Sequence, residues 1–189
     1  MKQHKRLPLA LFLVFALCIQ TLSFTSAAAA LADPEPVFSA SDMTFSSGTD
    51  AVALPQSAVT QLSGLSSGTI IVDFTPTAMS TANCLFSLSN SSVTDAYFNL
   101  YIDNRGFLGL EVRNHGETRY VNLQGPAEVT RNTRHIMALS ADPQEGYKFY
   151  FDGDMVFQMP VALYELWEYD YRFMSTVNSA DVGYMGATY

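Results

Sequence analysis

The stretch Tyr97-Phe98-Asn99-Leu100-Tyr101-Ile102-Asp103-Asn104-Arg105-Gly106-Phe107-Leu108-Gly109-Leu110-Glu111-Val112-Arg113 reads as two strands joined by a turn. Phe98, Leu100 and Ile102 alternate with Tyr97, Asn99 and Tyr101. Leu108, Leu110 and Val112 alternate with Phe107, Gly109, Glu111 and Arg113. A period of two belongs to a strand with one face buried, and Asp103-Asn104-Arg105-Gly106 between the runs has turn chemistry. Pairing Phe98 with Leu110 and Leu100 with Leu108 keeps both apolar sets on the core face. A one-residue slip would bury Asn99 and Tyr101 against leucines, so this register is preferred. It sets Tyr97 opposite Glu111 and Tyr101 opposite Phe107 on the outer face. Glu111 and Arg113, two residues apart, project together there.

The same pattern extends in both directions. Gly68 to Phe74, Cys84 to Ser89, Thr118 to Leu123, His135 to Ser140, Tyr147 to Asp152, Met155 to Met159 and Val182 to Tyr189 are short, largely apolar runs. Asn90-Ser91-Ser92, Asn114-His115-Gly116, Asp142-Pro143 and Asp152-Gly153-Asp154 break them at intervals of about ten residues, the mark of an all-β sandwich or barrel. Residues 33–61 form a low-charge leader in which Met43 to Phe45 is the expected first edge strand. Residues 62–189 form the sandwich, and only Ala162 to Tyr171 has room for a helical turn. The chain has no internal repeat, heptad or glycine-rich phosphate loop.

The amino terminus is an address. Lys2, Lys5 and Arg6 precede a mostly apolar run from Leu7 to Phe24, and Ala30-Leu31-Ala32 is an A-x-A site just before the polar Asp33-Pro34-Glu35-Pro36. This is a secretory signal peptide spanning residues 1–32. An uncleaved anchor competes with it, but Gln20, Thr21, Ser23, Thr25 and Ser26 dilute the apolar block. Cleavage after Ala32 leaves one domain's length of chain. It also removes three basic residues and no acidic one, so the formal charge of −8 becomes more negative still. Bulk electrostatics therefore disfavour nucleic acid and anionic membranes, and any anionic ligand must be caught by locally placed arginines. Only Cys84 of the two cysteines survives cleavage, so no intrachain disulfide forms. A secreted or cell-surface bacterial domain fits this better than a small stapled module.

Tyr97, Tyr101, Glu111 and Arg113 make an aromatic and charged patch on the outer face. Tyrosine offers a flat apolar surface with a hydroxyl. Glutamate accepts from hydroxyl or amide N–H groups, and arginine grips a carboxylate through two parallel bonds. These are the needs of carbohydrate recognition, above all of a sugar that carries a carboxylate and an amide. A solvated surface pair of Glu111 and Arg113 is the competing reading from spacing alone.

A resemblance favours the first. Leu65-x-x-Gly68-Thr69-Ile70-Ile71-Val72-x-Phe74, Leu85-Phe86-Ser87-Leu88-Ser89-Asn90-Ser91, Tyr97-Phe98-x-Leu100-Tyr101-Ile102, Glu111-Val112-Arg113, Phe149-Tyr150-Phe151-Asp152-Gly153 and Val182-Gly183-x-Met185-Gly186-Ala187-Thr188 follow one another in order. Together they resemble the amino-terminal lectin-like domain of sialidases, the family-40 carbohydrate-binding modules. The resemblance implies a concanavalin-like jelly roll that binds sialic acid-terminated glycans, with Arg113 and Glu111 at the sialate and Tyr101 lining the site. It implies a second carboxylate-binding arginine beyond Tyr189 and a sialidase catalytic domain downstream. Val182 to Tyr189 itself alternates as a strand and carries no polar tail, so the sandwich is expected to lack its last strand. It brings no cofactor and no metal.

Three further features are weaker. Asp152-Gly153-Asp154 reads as a hairpin turn rather than a calcium site. His115 is an exposed turn histidine or a border of the ligand site. Trp167 with Tyr164, Tyr169 and Tyr171 is a second sugar platform or a loop packed over the sandwich edge. Catalysis is not expected of this chain. Glu111 has an arginine two residues on, where a jelly-roll glycosidase carries its second carboxylate, and no Ser-x-Asp-x-Gly-x-x-Trp box occurs. Two other functions stay open: binding of a different glycan, and a protein-contact or structural role.

Overall fold

In the computed structural model, which describes residues 36, 38–41, 43–45, 50–78, 82–117, 121–167, 170–177 and 179–186, the chain builds two antiparallel sheets. The expected signal peptide and its cleavage site lie outside the described residues. The strands are β1 (Val52–Ala53), β2 (Gly68–Phe74), β3 (Ala82–Ser89), β4 (Tyr97–Asp103), β5 (Leu108–Arg113), β6 (Val121–Gly125), β7 (His135–Asp142), β8 (Gly146–Phe151), β9 (Asp154–Met159) and β10 (Val182–Met185). One sheet has the order β1-β10-β3-β4-β5-β6 and the other β2-β7-β8-β9. This is the β-sandwich expected from the alternation, in the jelly-roll form that the resemblance implies.

The inner faces close a single apolar core. Leu88, Phe98, Leu100, Leu108, Leu110 and Val112 from the first sheet and Met137, Leu139, Tyr147 and Phe149 from the second are all fully buried. Phe98 packs edge-on against Phe86 and Phe173, with centroids 5.9 and 5.5 Å apart. Helix α1 (Gln56–Leu62) lies in the Ser, Thr and Ala-rich stretch read as leader. Pro55 precedes its first turn, where a missing N–H costs nothing, and Ala58, Val59 and Leu62 turn inward. Met43 to Phe45 is not a strand. The edge strand is Val52–Ala53, paired with β10, while the Phe45 ring lies against Gly186. The helical turn expected within Ala162 to Tyr171 is α2 (Tyr164–Trp167), entered through a 3-10 turn at Val161–Leu163.

The central hairpin keeps the expected faces but shifts its register by two residues. Phe98 pairs with Val112, Leu100 with Leu110 and Ile102 with Leu108. An even shift leaves every side chain on its original face, so burial cannot decide it. The turn decides it. Gly106 has φ +83°, the left-handed conformation that closes a three-residue loop. Pairing therefore resumes at Phe107, whose carbonyl accepts from the Asp103 N–H at 2.9 Å. The Asp103 side chain secures the loop by accepting from the backbone N–H groups of Arg105 and Phe107 at 2.8 and 3.0 Å. Asp152 and Gly153, with φ of 50° and 96°, form the tight hairpin turn between β8 and β9 that their sequence called for.

Candidate functional site

The register places Tyr97 directly opposite Arg113 and Asn99 opposite Glu111 on the outer face of the six-stranded sheet. Tyr97 is the first residue of β4 and Arg113 the last of β5, so the cluster stands at one end of the sheet. The Tyr97 hydroxyl donates diagonally to Glu111 Oε1 at 2.9 Å. The same oxygen lies 2.8 Å from Arg113 Nε, an ion pair whose N–H is not aligned for a hydrogen bond. Burial, and then the Glu111 carboxylate beside it, push the Tyr97 phenol above its ordinary range, which keeps it a donor at any physiological pH.

Asp95, in the turn before β4, brings Oδ1 to 4.0 Å from Arg113 Nη1. Its backbone is left-handed, with φ 61°. The Arg113 side chain is 32% exposed, against 21% for Glu111 and 58% for Asp95. Arginine thus sits between two carboxylates with a third of its surface open to solvent. Chemically, this is a partly exposed guanidinium between two carboxylates, one of which is also held by a phenol hydroxyl.

Of the four candidate residues, Tyr97 and Arg113 both meet the Glu111 carboxylate. Tyr101 shares their face but lies flat across Gly109, its cross-strand partner. A side chain there would place its Cβ 2.3 Å from the Tyr101 Cζ, so the bare glycine is what lets the ring lie down. Asp95 was not read from the sequence, because one acidic residue in a turn carries no spacing signal.

His115 is exposed, and its Nδ1–H donates to the Thr94 carbonyl at 2.9 Å, tying the turn after β5 to the turn before β4. Tyr164 and Tyr171 stack on the buried Tyr147 with centroids 6.0 and 5.4 Å apart, and the Tyr171 hydroxyl donates to the Ser66 carbonyl at 2.7 Å. They cover the sandwich edge. The Trp167 side chain and Tyr169 lie outside the described residues.

The profile of the family described as Sialidase, N-terminal domain, matches residues 44–188. The chain belongs to this family. Among solved structures, the carbohydrate-binding module of the Ruminococcus gnavus IT-sialidase, bound to alpha2,3 sialyllactose, is 26% identical. It superposes with a TM-score of 0.61 over 70% of each chain. The same module bound to alpha2,6 sialyllactose is 25% identical, with a TM-score of 0.60 over 70% of this chain and 71% of that one. The leech intramolecular trans-sialidase shares the fold at 24% identity and a TM-score of 0.63, over 73% of this chain and 21% of its own. A search of the curated proteins found no match. Sialidase amino-terminal domains of this family are carbohydrate-binding modules, and so is this one.

Proposed function

We propose that the domain binds glycans ending in sialic acid through Arg113, Glu111, Tyr97 and Tyr101. The observation that carries this reading is the Tyr97–Glu111–Arg113 cluster, in which a phenol holds the carboxylate that pairs with an arginine about a third exposed to solvent. On an acidic protein, such a locally held guanidinium is what an anionic sugar needs. Arg113 takes the sugar carboxylate, Glu111 accepts from hydroxyl or amide N–H groups, and the Tyr101 ring laid over Gly109 supplies an apolar surface. That the Ruminococcus gnavus module carries sialyllactose of both linkages supports the same ligand class.

The proposal extends to the protein's setting. The signal peptide exports it to the bacterial surface or beyond, and a downstream sialidase domain performs the cleavage. A single-sugar site of this kind is weak, on the order of millimolar to micromolar. Tethering such a site to an enzyme raises the local enzyme concentration at sialylated surfaces without fixing it there.

A protein-contact role has one observation of its own. Ile71, Ala138, Tyr150 and Met155 form a row across the outer face of the four-stranded sheet, with Ile71 69% and Met155 53% exposed. A glycan array with the purified protein separates the readings. Signal confined to sialylated glycans is expected. Signal on neutral glycans alone, or on none, would overturn the sialic acid reading.

A further inference from the structure

Arg172 is an unusual residue for the edge of a sandwich: its side chain is only 8% exposed. Its backbone is pinned, since the Tyr147 hydroxyl accepts from its N–H at 2.7 Å and donates to its carbonyl at 2.6 Å. The next residue, Phe173, is buried in the core against Phe98. From this fixed base the guanidinium pairs with Glu117 and stands 3.6 Å from Asp170. Its Nε has no hydrogen-bond partner among the described residues. A buried ion pair of this kind is weak evidence of stabilisation, because desolvation offsets most of the attraction. Its value lies in where it holds the chain.

Glu117 closes the turn that begins immediately after Arg113. Its N–H bonds the Asn114 carbonyl at 3.2 Å, and Asn114 Nδ2 reaches its Oε1 at 3.4 Å. The same turn carries His115, bonded to Thr94, and Thr94 adjoins Asp95, the outer carboxylate of Arg113. The Arg172–Glu117 pair thus ties two turns to the core on either side of the Arg113 guanidinium.

We infer that Arg172 is the positioning residue of this site: through Glu117 it holds the turns that orient Arg113 and Asp95, without meeting a ligand itself. The consequence for affinity rests on the sialoside reading, whereas the consequence for Arg113 orientation does not.

Two readouts on Glu117→Gln test it. Glu117 is 39% exposed in a turn, so this variant is expected to fold. In ligand-free protein the Arg113 Nε–H resonance, assigned with Arg113→Lys, should shift or broaden in the ¹H–¹⁵N spectrum. Affinity for 3'-sialyllactose should fall roughly three- to tenfold, while the melting temperature changes by only a few degrees. Arg172→Lys, which keeps a cation for Glu117, should leave both readouts nearer to wild type than Arg172→Met does. An unmoved Arg113 resonance in folded Glu117→Gln would overturn the inference. So would Arg172→Lys and Arg172→Met behaving alike. A moved resonance in a protein that binds no sialyllactose would sustain the positioning and sink the ligand reading alone.

Discussion

Asp95→Asn should tighten binding of sialylated ligands. Asp95 already shares Arg113, at 4.0 Å from Nη1, so an arriving carboxylate meets both the guanidinium and a competing charge. A ligand carboxylate on the open side of the guanidinium would stand on the order of 5 Å from Asp95, a repulsion of about 0.8 kcal/mol in water-like dielectric. Asp95 is 58% exposed, which justifies the high dielectric. Removing that repulsion corresponds to roughly fourfold tighter binding. The substitution isolates the charge well. Asparagine is isosteric and tolerates the left-handed φ of 61° as readily as aspartate does. Calorimetric titration of 3'-sialyllactose into both proteins at low salt measures the ratio, with lactose as the uncharged control. The gain should shrink as ionic strength rises from about 0.02 M to about 0.5 M, because the pair is screened. Equal or weaker binding by the variant at low salt would refute the reasoning, since it would mean that no ligand carboxylate comes near Arg113.

Three other outcomes follow from the packing. Gly109→Ala should destabilise the fold by about 1–3 kcal/mol through overlap with the Tyr101 ring. The loss should be smaller in a Tyr101→Ala background, measured by urea unfolding of the single and double variants. Tyr147→Phe should cost about 1–3 kcal/mol, because the buried N–H and C=O of Arg172 lose the hydroxyl that serves both; an unchanged unfolding midpoint would argue against that contact. Stability should also fall in acid. Asp73 is held below its ordinary value by Arg134, Asp152 by the Ile136 N–H and His135, and Asp181 by the Ser91 hydroxyl and N–H. Burial pushes Asp103 up, but the Phe107 and Arg105 N–H groups and the Arg105 guanidinium together outweigh it. Folded-state values below the ordinary 3.8 mean that these carboxylates stabilise above that pH and lose the contribution as pH falls through the lowered values. Melting temperatures should therefore decline below about pH 4, and less steeply in Asp181→Asn.

The architecture was legible because alternation is a local signal. Gly68–Phe74 forms the strand read for it, and the other runs differ mainly at their ends. Register within the central hairpin was not, because a shift of two preserves every face and only the left-handed Gly106 distinguishes the alternatives. Helix α1 was hidden because its buried residues, Ala58, Val59 and Leu62, are diluted by serine, threonine and glutamine. At the site, Glu111 and Arg113 were visible through their i, i+2 spacing and the family resemblance. The Arg172–Glu117 tie joins residues more than fifty positions apart and leaves no periodic trace.

The central claim is that Arg113 grips the carboxylate of a terminal sialic acid, and the ratio of 3'-sialyllactose dissociation constants between Arg113→Ala and wild type tests it most directly. Arg113 projects outward from the end of β5, so its truncation opens no cavity. Loss of one charge-assisted contact of about 1.5–3 kcal/mol predicts roughly ten- to hundredfold weaker binding, with an unchanged circular dichroism spectrum. Equal affinity in the two proteins would contradict the account.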